Sequence, residues 1–164
     1  MIDISGFGTG ITIVALQAFP EGFSVSEFSD DKDPLVCEAT ETNAWDMLYD
    51  GSLYFYTKAD PIKLSLSVIP GGNDDTNLKI LLQGSLSSSG ILPLPRTTSM
   101  ILNYPSGFVM LSNGTIYRGP VGDSIQASGR KSGNTYDFVF GSFFGAQSIT
   151  EVLASVAGAA ASFL

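Results

Sequence analysis

The sequence contains no histidine and a single cysteine, Cys37. Without histidine the chain lacks the commonest general base and the commonest metal ligand, and every Ser-His-Asp or Cys-His arrangement is excluded. One cysteine permits neither a disulfide framework nor a thiolate metal site. Cys37 has no activating partner in the sequence and is expected as a small core or strand residue. Charge is also sparse. The charged fraction is 15%, where roughly a quarter is usual. A folded chain with so little charge either meets other protein over much of its surface or presents a neutral, Ser-rich exterior. There is no long hydrophobic run. The C-terminal LASVAGAAASFL is apolar but falls short of the ~20 residues that span a bilayer. The N-terminus has no basic segment followed by an apolar one. The expectation is a soluble product without membrane anchoring.

Bases are the scarcer charge. Eight Lys and Arg stand against sixteen Asp and Glu, a net charge of −8. That argues against ordinary nucleic-acid binding, which needs cations for the phosphates. The imbalance is uneven along the chain. Residues 1–50 hold ten acids against Lys32 alone, and residues 51–164 hold six acids and seven bases. The first part therefore carries −9 and the rest +1. Such asymmetry suits head-to-tail stacking, or a surface that must repel an anion. An acidic solvated face is the simpler alternative.

What is present points to strands and turns. Eighteen glycines and a 44% hydrophobic fraction rich in aromatics favour a mainly β chain of one domain. The most legible stretch is Asp60 to Leu86. Ile62, Leu64, Leu66 and Val68 alternate with Lys63, Ser65 and Ser67, the period of a half-buried strand. Pro70, Gly71 and Gly72 end it. Asn73, Asp74 or Asp75 can then cap a short helix, about 74–84, with Leu78, Leu81 and Leu82 on one face and Gly84 at its stop. The strand is expected to bury its four apolar residues under that helix. Lys63, Ser65 and Ser67 face away and are candidates for subunit contact.

Other strands are expected at Ile11 to Leu16, Phe23 to Phe28, Leu35 to Thr40, Leu53 to Tyr56, Thr98 to Tyr104 and Tyr136 to Phe140. ETNAWDMLYD, residues 41–50, fits either a helical turn or a strand. Asp50-Gly51 is a hairpin turn signal, and so is Asn113-Gly114, which divides Phe108–Leu111 from Thr115–Arg118. SLSSSGILPLPR, from Ser85 to Arg96, reads as a long connection of the kind that is functional or ordered by a partner. A second, C-terminal helix is expected over Ile149 to Ala157, with Ser148 and Glu151 forming a capping box. Residues 1–145 then form the β domain and 146–164 an apolar extension that suits docking on a neighbour.

No stretch carries a specific chemical motif. The run from Gly6 to Gly10 lacks the preceding strand, following helix and lysine of a phosphate loop. Asp30, Asp31 and Asp33 lack the glycine and downstream bidentate glutamate of an EF-hand. Only a hard ion is compatible with the available ligands, so a carboxylate-based calcium-binding module is the minor alternative. Neither an enzyme nor a cofactor is expected.

Taken in order, the Asp50-Gly51 turn, the aromatic strand 53–56, KADPIKLSLSVIPGG, the helix DDTNLKILLQ and the closing strand TYDFVFGSF resemble a bacteriophage tail tube protein. The likeness covers most of residues 11–145. It implies an antiparallel β-sandwich or barrel with one flanking helix, and a structural virion protein. It also implies hexameric rings stacked head to tail, related to the inner tubes of contractile injection systems. DNA would pass through the channel without specific binding, and sheath and baseplate proteins would be partners. A baseplate tube initiator or tail terminator of the same fold is the alternative. On this resemblance, Asp30, Asp31, Asp33, Glu38 and Glu41 are candidates for the lumen or the ring-to-ring contact, where acids would repel phosphate. Arg130 and Lys131 are candidates for the opposite ring face. The protein would reside in the virion tail, and in the host cytoplasm during assembly. The apolar extension beyond Gly145 departs from the family pattern.

Overall fold

The computed structural model describes residues 6, 8–16, 18–85, 98–105, 107–145 and 158. Most of the Ser/Pro-rich connection, the expected second helix and the rest of the apolar extension lie outside these residues. Nine strands are described: β1 (Gly10–Ala15), β2 (Phe19–Val25), β3 (Leu35–Cys37), β4 (Asn43–Met47), β5 (Leu53–Thr57), β6 (Ile62–Val68), β7 (Thr98–Tyr104), β8 (Gly107–Arg118) and β9 (Asn134–Phe144). The helix α1 spans Asn73–Ser85.

Seven strands form one antiparallel sheet in the order β2-β1-β7-β8-β9-β6-β3. The sheet curls into a half-barrel, so the mainly antiparallel β fold with one flanking helix is what the chain adopts. β4 and β5 pair only with each other, as a separate hairpin.

Alternation decides which face goes inside. On β9, Asn134, Tyr136, Phe138 and Phe140 are buried and the residues between them are not. On β6, Leu64, Leu66 and Val68 lie opposite Phe138, Tyr136 and Asn134 on the same concave face. Ile11 and Ile13 of β1 and Met100 and Leu102 of β7 continue it across the sheet. Burying an apolar side chain of this size stabilises by ~1.5–3 kcal/mol. Helix α1 lays Leu78, Leu81 and Leu82 over this face, as the leucine spacing predicts.

Polar contacts fix where the helix sits. Asp74 Oδ2 accepts the backbone N–H groups of Ser26 and Glu27 at 2.8 and 2.9 Å. That ties the start of α1 to the end of β2. Asp75 is more deeply placed, its side chain 2% exposed. Its carboxylate accepts from Tyr136 Oη at 2.6 Å, Asn134 Nδ2 at 2.8 Å and the Gly71 N–H at 3.1 Å, and pairs with Lys79 Nζ at 3.2 Å. Lys79 and Asn134 also reach Asp123 Oδ1, at 2.7 and 2.9 Å. Burial alone would push the Asp75 carboxyl up, but these donors outweigh it and hold it below the usual carboxylate range. Lys79, Asn134 and Lys131 hold Asp123 well below that range.

The structure corrects one expected turn. Asn113-Gly114 does not divide two hairpin strands. β8 runs unbroken from Gly107 to Arg118, with Thr98 opposite Gly114 and Met100 opposite Leu111. Three residues on β8 thus span two on β7, which is a bulge. Asn113 takes the left-handed conformation the extra residue needs, with φ 57°. Gly114 packs so closely on Phe140 and the Val139 carbonyl that a Cβ there would overlap both. The same Asn-Gly chemistry serves a bulge as well as a turn, and only strand pairing separates the two.

Two consequences are measurable. Asp75→Ala strands the Tyr136 hydroxyl, the Asn134 amide and Lys79 in a buried site, and should cost ~3 kcal/mol in denaturant unfolding. The folded carboxyl has a pKa below its unfolded one. Its contribution is therefore complete above about pH 4 and is lost as pH falls towards the folded pKa. Asp75→Asn should flatten that acid limb of the stability curve, and an unchanged limb would place the acid sensitivity elsewhere. Gly114→Ala should destabilise by ~1–3 kcal/mol through overpacking against backbone. A neutral effect would mean that β8 relaxes freely at the bulge.

Candidate assembly surface

The hairpin of β4 and β5 is the part of the chain whose own fold does least to cover it. Trp45 lies opposite Phe55 and Met47 opposite Leu53, so these four share one face. They are 69, 67, 66 and 47% exposed. Tyr54 and Tyr56 occupy the other face and are exposed too. The tip is a tight turn. The Leu48 N–H donates to the Ser52 carbonyl, the Gly51 N–H donates to the Leu48 carbonyl, Asp50 Oδ1 accepts from the Ser52 hydroxyl at 2.6 Å, and Gly51 supplies φ +89°. At its base, Lys58 donates to the Thr42 carbonyl and pairs with Glu41 at 2.7 Å, while the Glu41 N–H donates to Asp60. The hairpin is thus well formed and firmly rooted, with apolar residues on both faces. Its Asp50-Gly51 turn was legible. The run Leu53 to Tyr56 has no charged alternate, but it does not by itself tell a strand buried on both faces from one exposed on both, as here.

Beside the hairpin's root, the half-barrel opens at one end. A cavity of about 410 Å³ is lined by Ile62, Leu64, Leu102, Val109, Leu111 and Phe143, with Thr40, Thr42, Glu38 and Lys63 contributing around it. Cys37 and Tyr104 meet across it, Sγ to Oη 3.9 Å. Burial, together with the neighbouring Cys37, pushes the Tyr104 hydroxyl up to about 12. Cys37 is in a strand as expected, but it is exposed rather than part of the core, because β3 is the edge of the sheet.

The acids expected to act together fall into two groups separated by β3. Asp30, Asp31 and Asp33 lie on the loop before it, and Glu38 and Glu41 on the link to the hairpin. Asp31 accepts from the Ser29 hydroxyl, the Gln126 amide and the Gly133 N–H at 2.5, 3.1 and 3.2 Å. Asp30 pairs with Arg130. Lys32 donates to the Gly133 carbonyl at 2.8 Å. The loop of residues 124–133 is therefore latched onto the acidic loop of the same chain. Arg130 and Lys131, the candidates for the opposite ring face, thus both have partners within their own chain. Arg130 neutralises Asp30, and Lys131 is committed to Asp123 at 3.0 Å. Among the described residues, no group of three or more Asp, Glu or Cys converges as a metal site would require.

The three outward residues of β6 also differ from one another. Lys63 is exposed, and Ser65 is half-buried with its hydroxyl on Asp137 at 2.6 Å. Ser67 is 3% exposed, with Thr135 Oγ1 at 2.9 Å and its backbone bonded to Ser29 and Pro34. Within its own chain Ser67 is already covered by the segment leading into β3.

A family model described as Tail fiber protein gp32 matches residues 2–144. The chain belongs to that family. It is a structural protein of the phage tail and a virion component. The tail membership expected from the resemblance holds at that level, although the matched description is of a fibre and not a tube. No curated protein matches the chain. No described helix is long and apolar enough to cross a membrane.

Because the hairpin face is largely uncovered by the described residues, W45S/F55S should leave the unfolding free energy within ~0.5 kcal/mol of the parent. It should also lower the binding of an apolar dye. A large loss of stability would show that the hairpin packs on its own body.

Proposed function

We propose that this gp32-family chain is a tail tube subunit that assembles as rings stacked head to tail around a channel for DNA. The observation that carries the reading is the exposed hairpin. At roughly 200 Å² per aromatic side chain, Trp45, Tyr49, Tyr54, Phe55 and Tyr56 leave on the order of 700 Å² in water. This area is spread over both faces and the tip of the hairpin, and it compares with the ~800 Å² that a standard interface takes from each partner.

Two further features support a tube. Among the described residues the half-barrel ends in unpaired edges, β2 and β3, that a neighbour can extend. Both edges are short or marked by proline (Pro20 within β2, Pro34 before β3), which limits indiscriminate pairing. The net charge of −9 over residues 1–50 suits a lumen that repels phosphate. Asp33 and Glu38 have no ion pair among the described residues and are the acids best suited to it. Asp30, Asp31 and Glu41 are already engaged. Rings of six, contacts to sheath and baseplate, and assembly in the host cytoplasm belong to the same proposal. A single ring that never stacks would make the chain a tube initiator or tail terminator. The family description favours a second reading, a fibre subunit.

Negative-stain microscopy of the purified chain across concentration separates these readings. Stacked rings with a stain-filled centre are expected. Solid rods would favour the fibre. A strict monomer after prolonged incubation at high concentration would overturn self-assembly.

A further inference from the structure

We propose that the hairpin of one copy seats its Trp45–Met47–Leu53–Phe55 face in the open mouth of the half-barrel of the next copy. The inference rests on the reading of the chain as a self-assembling tail subunit, and it names the surface that the hairpin meets. Each chain carries two apolar surfaces that its described residues leave uncovered. One is the face of the projecting hairpin, itself a shallow depression lined by Trp45, Asp46, Met47, Leu53 and Phe55, and the other is the mouth of the half-barrel. Trp45, Met47, Leu53 and Phe55 on the hairpin face are uncharged, with Asp46 beside them, and the apolar lining of the mouth includes Ile62, Leu64 and Phe143. Glu38 and Lys63 also line the mouth, and both are exposed. The apolar parts of the two surfaces therefore meet, with an acid beside one and an acid and a base beside the other, so that Lys63 can pair with Asp46 in place of water.

A chain does not fill its own mouth with its own hairpin. Thr42 lines the mouth, and the hairpin leaves from there as a separate sheet whose face stays exposed. The cavity, about 410 Å³, falls within the ~300–1,000 Å³ of concave sites that enclose a ligand. One or two side chains such as Trp45 and Phe55 would occupy it. Hairpin face and mouth are different surfaces, so the contact is heterologous. Repeated by rotation it closes a ring, and repeated without closure it builds a filament.

The competing occupant is the chain's own apolar segment 146–164, which begins three residues after Phe143 and has one charged residue, Glu151. Cys37, the one cysteine of the chain, stands at the mouth and reports which occupant is present. Phe55→Cys on a Cys37→Ser background is mixed with the parent chain under mild oxidation by diamide. A disulfide linking Cys37 of one copy to position 55 of another should form in the mixture, at least tenfold more than the link to a Tyr49→Cys control at the hairpin tip. Leu53→Cys should behave like Phe55→Cys. Absence of the link with both variants would overturn the proposal. So would preferential linking of Cys37 to Ala160→Cys within one chain. Microscopy of the same samples separates the two levels. Rings without the link would refute this docking and leave assembly standing, whereas a monomer without the link would refute both.

Discussion

A sheet bent through half a barrel buries one face and must still close the ends of that face. Everything else in this chain answers that constraint. The inner residues of β1, β6, β7, β8 and β9 supply a continuous apolar wall. Helix α1 covers part of it with three leucines. The mouth beside Cys37 and Tyr104 is left open by the described residues, and so are both edge strands. The proposed assembly would complete such a fold with other copies of the chain.

The helix alone would be a poor cover. It contains Gly84 and several polar residues, and its leucines give it only a narrow apolar stripe. Asp74 and Asp75 compensate. They sit in the first turn, where the helix dipole favours acids, and each reaches a different part of the sheet. Tyr136 links the two kinds of interaction, since its ring lies in the core and its hydroxyl bonds Asp75. The polar network is satisfied nearly throughout. It therefore specifies one seat for α1 instead of a range of sliding ones.

Much of the fold was legible because its period was unambiguous. β6, α1 and β9 announce themselves through Ile62–Val68, the leucines at 78, 81 and 82, and Tyr136–Phe140. Where the sequence misled, a local signal had two physical uses. Asn113-Gly114 fits a tight turn or a bulge, and the pairing of β8 with both β7 and β9 decides for the bulge. Arg130 and Lys131 look like a basic pair until contacts a hundred residues away in sequence give Arg130 its partner in Asp30. Ser67 has the alternation of an exposed residue, yet a distant loop covers it. The hairpin was readable as strands and a turn. Its role was not, because exposure is a property of what fails to pack, and no local pattern encodes that.

The central claim is that residues 43–57 and the mouth are buried only by another copy. Hydrogen–deuterium exchange on assembled and dissociated protein tests it directly. Assembly should slow exchange in the hairpin, in β3 and at the β6 end that borders the mouth, while the β7–β8–β9 ladder stays equally protected in both states. Equal exchange of the hairpin in the two states would contradict the account.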